Sequence, residues 1–372
     1  VGQPVNVGVV GCGAISAQYF RTIDRLPQLR LAAVADLDLD RAREAVRPYA
    51  GVEVLSVAEL MADPRVDVVL NLTIPAAHAE IALQAIAAGK DVYCEKPLAA
   101  TAEDAGRMLR AADAAQVRVA CAPDTVLGTG TQTARKAIDD GLIGRPVAAT
   151  AMMVTPGHER WHPNPDFYYL PGGGPLLDMG PYYITSLVTL LGPVSTVIGA
   201  AGRTRAKRTI GSGPRRGEEI PVTVDTHVTG VLVHTSGALS TLVMSFDAAA
   251  TKAPHIEVHG EQGSLVVPNP NHFDGPVLAS GVGEEGWRDL PVSAGYVDAG
   301  RGVGLADFAS TPPGEEPRTG GSLAFHVLDI MESLLASAHS GRAVNITSTC
   351  ERPRPVVLIP SEGTSDRSGG TP

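Results

Sequence analysis

The sequence is short of several things, and each shortage excludes a class of protein. Aromatic residues make up 4% of the 372 residues, sixteen side chains in all, so any cluster of them is informative. No apolar run approaches the roughly 18 residues of a membrane-spanning helix, and none is expected. Only four cysteines occur (Cys12, Cys94, Cys121 and Cys350), far apart and without a C-x-x-C pair. Three fall in apolar, strand-like runs, so all four read as reduced core thiols rather than a disulfide framework. Basic charge is scarce as well: 30 Lys and Arg face 40 Asp and Glu, a formal net charge of -10. That balance argues against a nucleic-acid partner, which needs a concentrated basic surface. One basic cluster (Arg203, Arg205, Lys207, Arg208, Arg215, Arg216) is broken by Gly and Pro and reads as a solvated loop. Residues 1–6 show no basic region followed by an apolar stretch, so a cytoplasmic protein is expected.

What is present is a globular composition, 44% hydrophobic and 19% charged, over a length that suggests two domains. Residues 1–124 alternate short apolar runs (5–10, 31–35, 66–72, 91–94 and 117–122) with helical patterns. Strands that are apolar throughout imply burial on both faces, hence a parallel sheet flanked by helices. Ser56 with Glu59 and Thr101 with Asp104 have the spacing of helix-start capping boxes. Over 125–360 the pattern changes: helix 131–139, strand 147–154, a Pro-rich loop, a Gly-rich turn and an apolar helix 177–191. Two hairpins follow (228–233 with 239–246, and 256–259 with 264–267), then a late helix at 323–340. The second domain is expected to be α+β on a mostly antiparallel sheet. The polar tail 361–372 is expected to be disordered.

The first apolar run ends in Gly11-Cys12-Gly13-Ala14-Ile15-Ser16, a dinucleotide fingerprint with Ser in place of the third Gly. Gly11 permits the tight turn, and Gly13 lets the backbone approach a pyrophosphate resting on the next helix. Strand before and helix after are the context this motif needs. Some twenty residues on, Asp36 stands where a carboxylate would accept from the adenosine ribose and repel a 2'-phosphate. No Arg is adjacent to it, so NAD is expected over NADP; an Asp merely opening the turn is the plainer alternative. Thr73-Ile74-Pro75, with His78 beyond, and Cys94-Glu95-Lys96-Pro97 close two further strands, and both belong to the cofactor crevice. A Lys just beyond a buried strand reads as a working cation near the nicotinamide, or simply as a solvated one.

In the second domain Gly172-Gly173-Gly174 precedes Asp178 and Tyr182, which are four apart and share a face if the helix has begun. Asp178 reads as an N-cap, a substrate contact, or both. His158-Glu159-Arg160-Trp161-His162 matches the zinc-protease pattern, but Pro and Gly on both sides preclude the helix it requires, and no metal site is expected. Six aromatics (Trp161, Phe167, Tyr168, Tyr169, Tyr182 and Tyr183) fall within this stretch. They suit a sugar, whose C–H faces pack on rings, or else form a satellite core cluster.

Fingerprint, Glu95-Lys96-Pro97 and the Gly-Gly-Gly…Asp178-x-Gly180-x-Tyr182 segment, in this order, resemble the Gfo/Idh/MocA family, which includes glucose-fructose oxidoreductase and inositol dehydrogenase. The resemblance runs over nearly the whole chain. It implies an α/β Rossmann domain followed by an α+β domain with a large, mostly antiparallel open-faced sheet, whose free face supports a homodimer or homotetramer. It also implies Lys96 as catalytic lysine, Glu95 and Pro97 shaping its turn, and Asp178 at the substrate. Inositol dehydrogenases carry a His base where this chain has Tyr182, so the chain looks like the tyrosine branch. The expected activity is NAD-dependent oxidation of a secondary hydroxyl of a sugar or glycoside, C3 being one known position. Expected catalytic residues are Lys96, Tyr182 and Asp178, with His158 and Trp161 completing the substrate site. Gly11, Cys12, Gly13, Ala14, Ile15, Asp36, Thr73, Ile74, Pro75, His78, Glu95 and Lys96 are expected at the cofactor. The alternatives are an NADPH-dependent ketosugar reductase and a non-catalytic sugar or nucleotide sensor.

Overall fold

The computed structural model describes residues 3–312 and 314–361; all of the expected tail but Ser361 lies outside them. The first domain is built from β1 (Val5–Val10), α1 (Ser16–Arg25), β2 (Leu29–Ala35), α2 (Leu39–Val46), β3 (Glu53–Leu55), α3 (Val57–Ala62), β4 (Val68–Asn71), α4 (Pro75–Ala87), β5 (Asp91–Cys94), α5 (Ala102–Ala115) and β6 (Val119–Cys121). Its six strands are all parallel, in the order β3-β2-β1-β4-β5-β6, so the order reverses between β1 and β4. A ligand crevice opens at such a reversal, outside the carboxyl ends of the strands. All of β4 and β6 is buried, as their unbroken apolar runs require. The Ser56–Glu59 capping box forms in full and starts α3, and Thr101 accepts from the Asp104 N–H to start α5. The short β3 was not read from the sequence, because three residues show no periodicity.

The second domain adds α6 (Thr129–Asp139), β7 (Pro146–Val154), α7 (Pro175–Leu191), β8 (Val194–Gly202), β9 (Lys207–Thr209), β10 (Glu219–Pro221), β11 (His227–His234), β12 (Leu239–Ser245), β13 (Ile256–Gly260), β14 (Gly263–Val267), β15 (Val277–Gly281), β16 (Arg288–Leu290), α8 (Val303–Ser310), α9 (Gly321–Ser340) and β17 (Val344–Asn345). Nine strands form one sheet in the order β16-β15-β14-β13-β7-β12-β11-β8-β17. Every pair is antiparallel except β7 with β12. The strict buried/half-exposed alternation of β11 marks one covered face, packed by α7 and α9. On the other face Ile198 and Leu239 are about half-exposed (51% and 49%).

Two segments bind the domains together. From α9, Leu323, Val327 and Leu334 are buried in a core continuous with Ala105 and Met108 of α5. From α8, Leu305, Ala306 and Phe308 enter the core of β1, β4 and β5 beside Tyr93. Asp124, at the end of the first domain, accepts from the N–H groups of Gly302 and Gly304 and so caps α8. All four cysteines are free and buried. The basic cluster needs one correction: Arg208 is not solvated but buried at 3% exposure, paired with Glu159 and Asp247. That pairing ties β9 to the loop after β7, a long-range contact that composition cannot reveal.

Candidate active site

The crevice wall begins at β1. Gly11 has φ +100°, and a Cβ there would lie 2.7 Å from the Leu72 carbonyl oxygen, so only glycine fits. Gly13 has open space where a Cβ would stand. The helix α1 begins with no side-chain cap and no acidic residue in its first turn, so its positive dipole end stays uncompensated, although the Ser16 and Gln18 N–H groups donate to the Gly13 and Ile15 carbonyls. This is the environment a pyrophosphate requires. Ser16 fills the third-glycine position, and its hydroxyl donates to the Gly13 carbonyl at 2.8 Å.

At the end of β2, Asp36 accepts from the Cys12 N–H at 2.8 Å and the Asp38 N–H at 2.9 Å. It also pairs with Arg41 Nη2 at 3.0 Å, which corrects the expectation that no Arg stands beside it. Arg41 is five residues on, brought back by the first turn of α2. Burial raises the Asp36 pKa, but the two N–H donors and Arg41 together hold it below the ordinary aspartate value. Leu37, just beyond β2, and Ile74, just beyond β4, are exposed apolar side chains at the strand ends that open on the crevice. His78 has a different place from the one expected: it is fully buried, with Nδ1 2.6 Å from the Pro97 carbonyl oxygen and Nε2 3.0 Å from that of Thr73. It ties the two strand-end turns together behind the crevice.

Beyond β5, the Glu95 carboxylate accepts from the Tyr19 hydroxyl and the Lys96 N–H, both at 2.8 Å, and so fixes the turn that carries Lys96. Lys96 Nζ reaches across to α7, donating to the Asp178 carbonyl at 2.8 Å and to its Oδ1 at 3.2 Å. The Asp178 N-cap reading falls, because α7 starts at Pro175 and its N-cap is Gly174. Pro at the first helical position, after a glycine of positive φ, moves the start two residues earlier than periodicity suggested. Asp178 Oδ2 lies 3.2 Å from His158 Nε2, so this one carboxylate joins Lys96 to the loop after β7. Burial raises the Asp178 pKa, but Lys96 and His158 bring it below the ordinary value. Lys96 is held above its ordinary value: burial works against the charge, and Asp178, Tyr182 and Glu95 outweigh it.

One turn further along α7, buried Tyr182 has two cations near its ring, Lys96 Nζ and Arg301 Cζ, each 5.4 Å from the centroid. Burial raises the Tyr182 pKa above its ordinary value, against the opposing pull of Lys96 and Arg301. The aromatic stretch divides. Tyr169 and Tyr183 are core, Trp161 and Phe167 are more than half exposed, and Tyr168 meets His158 edge to face with ring centres 4.6 Å apart. Trp161 also meets His158 edge to face, with ring centres 5.2 Å apart. The three residues of the zinc-like pattern serve separate contacts: His158 meets Asp178, Glu159 pairs with Arg208, and His162 Nδ1 accepts from the Asn164 N–H.

Lys96, Asp178, Tyr182 and His158 therefore converge where a dinucleotide crevice meets a second domain, an arrangement that defines a nicotinamide-dependent oxidoreductase. Residues 5–122 match the oxidoreductase family described as having an NAD-binding Rossmann fold, and residues 131–266 match the GFO/IDH/MocA C-terminal domain. The chain belongs to the GFO/IDH/MocA family. It is similar to the myo-inositol 2-dehydrogenase of Thermotoga maritima, at 28% identity over 77% of this chain and 81% of that protein. It is also similar to the 1,5-anhydro-D-fructose reductase of Ensifer adhaerens, at 32% identity over 70% of this chain and 75% of that protein. Its fold is shared with an NAD-binding oxidoreductase from Klebsiella pneumoniae, with TM-score 0.81, 24% identity and coverage of 93% and 100% of the two chains.

Arg301 and Arg41 were missed by sequence reasoning. Arg41 follows an acidic run that reads as an ordinary helix start. Arg301 lies in a segment without periodicity, where the only local signal is its place between Gly300 and Gly302.

Proposed function

We propose that the chain is an NAD-dependent dehydrogenase that oxidises a secondary hydroxyl of a sugar or glycoside, the C3 hydroxyl of a glycoside being the first to test. The observation that carries this reading is the convergence of Lys96, Asp178 and Tyr182 at the mouth of the crevice. The names of the two relatives, an inositol dehydrogenase and an anhydrofructose reductase, support a polyhydroxylated substrate. Bound NAD supplies the hydride acceptor. Tyr182 takes the hydroxyl proton, Lys96 holds the reacting oxygen, and Asp178 orients Lys96 and the substrate. Lys96 is unsuited to be the base itself, because its surroundings keep it charged. His158 and Trp161 form a wall for the sugar ring. Since burial leaves Tyr182 above its ordinary pKa, oxidation is expected to speed up as the pH rises above neutral.

The second reading, an NADPH-dependent reductase, draws on Arg41 beside Asp36 and on the reductase relative. A panel of glycosides, free sugars, inositols and diols, assayed by absorbance with each cofactor, separates the two. Highest catalytic efficiency for a sugar or glycoside with NAD supports the first. Turnover confined to ketosugars with NADPH would replace it by the second.

A further inference from the structure

Arg301 is held in place from several sides. Its neighbours Gly300 and Gly302 lie against α1, where an added Cβ would come 3.1 Å from the Thr22 hydroxyl oxygen and 3.3 Å from Tyr19. The Gly302 N–H is fixed on Asp124 at 2.7 Å, and Arg301 Nη2 donates to Asn271 Oδ1 at 2.8 Å. These contacts hold the guanidinium 5.4 Å from the centre of the Tyr182 ring.

Its charge is unbalanced in a way that other enclosed arginines are not. Arg208 pairs with Glu159 and Asp247, Arg318 with Asp307, and Arg135 with Asp139. Arg301 forms no ion pair with any described residue, and its Nη1 is buried without a hydrogen-bond partner among them. A half-buried cation with one buried, unpartnered N–H group is stabilised by negative charge nearby. The Tyr182 ring lies 5.4 Å from the guanidinium, and its hydroxyl can supply one by losing a proton.

We propose that Arg301 is a positioning residue for the reaction, a second cation that, together with Lys96, stabilises the ionised form of Tyr182. This rests on the reading of Tyr182 as the base. The groups bearing on Tyr182 are Lys96 and Glu95 from the end of β5, Asp178 on its own helix, Tyr168 from the loop after β7, and Arg301. Glu95 and Asp178 favour the neutral phenol, and Lys96 is already shared with Asp178, so Arg301 is the cation in the set without a carboxylate partner. Asp124 and Glu95 stabilise the guanidinium from a distance and keep it charged.

The test compares wild type, Arg301→Gln and Arg301→Lys on the substrate that turns over fastest in the panel. The rate rises with pH as Tyr182 ionises, and loss of the Arg301 charge is expected to move that rise up by about one pH unit. Arg301→Lys should restore most of it. An unmoved profile, with a raised KM for NAD or for the sugar at every pH, would overturn the proposal and make Arg301 a ligand anchor. Tyrosinate absorbance, titrated for each protein with and without Tyr182→Phe and checked for folding by circular dichroism, isolates the Tyr182 hydroxyl independently of turnover. If Tyr182→Phe keeps the wild-type profile, the base reading fails by itself. Arg301 is then judged by the titration alone, where an unshifted Tyr182 in Arg301→Gln would overturn it.

Discussion

At Asp36 a single carboxylate meets three donors, two backbone N–H groups and Arg41. Its replacement therefore has two effects. Asp36→Ala removes the carboxylate proposed to accept from the ribose hydroxyls, so the KM for NAD is expected to rise roughly tenfold or more. It also frees Arg41, so NADP is expected to gain at the same time. Catalytic efficiencies measured with both cofactors check this, and an unchanged NADP efficiency would mean that Arg41 does not reach the 2'-phosphate. Trp161 makes a different case. It is 59% exposed and meets His158 edge to face, so Trp161→Ala is expected to raise the KM for the sugar by about tenfold while leaving the KM for NAD and the melting temperature unchanged. Equal losses for both ligands, together with a lower melting temperature, would place Trp161 in the core instead. At this scale the sequence was most legible where chemistry needs a local motif. Gly11, Gly13, Lys96, Asp178 and Tyr182 announce themselves through strand ends and fixed spacings. Arg301 meets Tyr182 from a distant segment of the chain, and the Asp178–His158 link joins a helix to a loop, so no local pattern encodes either.

Among the elements, α8 shows how a short helix can join two domains. Its start depends on Asp124, which is fully buried, with Oδ2 on two N–H groups and Oδ1 without a partner. Burial pushes the Asp124 pKa up to about 6, against the pull of the Gly304 N–H and Arg301. The folded state thus binds this proton more tightly than the unfolded chain does. Its contribution is greatest below the ordinary aspartate value and is lost as the pH rises through about 6. Asp124→Asn keeps an acceptor for the cap but does not titrate. Relative to it, wild type is expected to lose on the order of 2 kcal/mol between about pH 4 and pH 7, measured by denaturant unfolding. Parallel pH dependences for the two proteins would contradict this. Neither α8 nor β15 and β16 was read from the sequence. The first is eight residues of nearly uniform burial, and the strands are short pieces between Gly-rich turns, so periodicity had too little length to act on. By contrast, α7, α9 and the β11–β12 hairpin were legible because each carries its pattern for several turns or pairs.

In the whole molecule, an expected Rossmann domain and an expected, mostly antiparallel sheet are both present, but the proposed catalytic arrangement belongs to neither alone. Lys96 comes from the first domain, Asp178, Tyr182 and His158 from the second, and α8 and α9 hold the two together. The half-exposed apolar positions on the uncovered face of the large sheet, Ile198 and Leu239 among them, are proposed to pair copies of the chain. Light scattering is expected to give a dimer or tetramer that Ile198→Glu with Leu239→Glu dissociates, and a monomeric wild type would contradict it. In the proposed reaction, hydride transfer depends on Tyr182 taking the hydroxyl proton beside Lys96. The most direct test of this is the turnover of Tyr182→Phe, measured on protiated and deuterated substrate alongside the Kd for NAD. Turnover is expected to fall by about a hundredfold or more with NAD affinity nearly intact. Close to full turnover and an unchanged pH profile, with a deuterium effect showing that hydride transfer limits the rate, would contradict it.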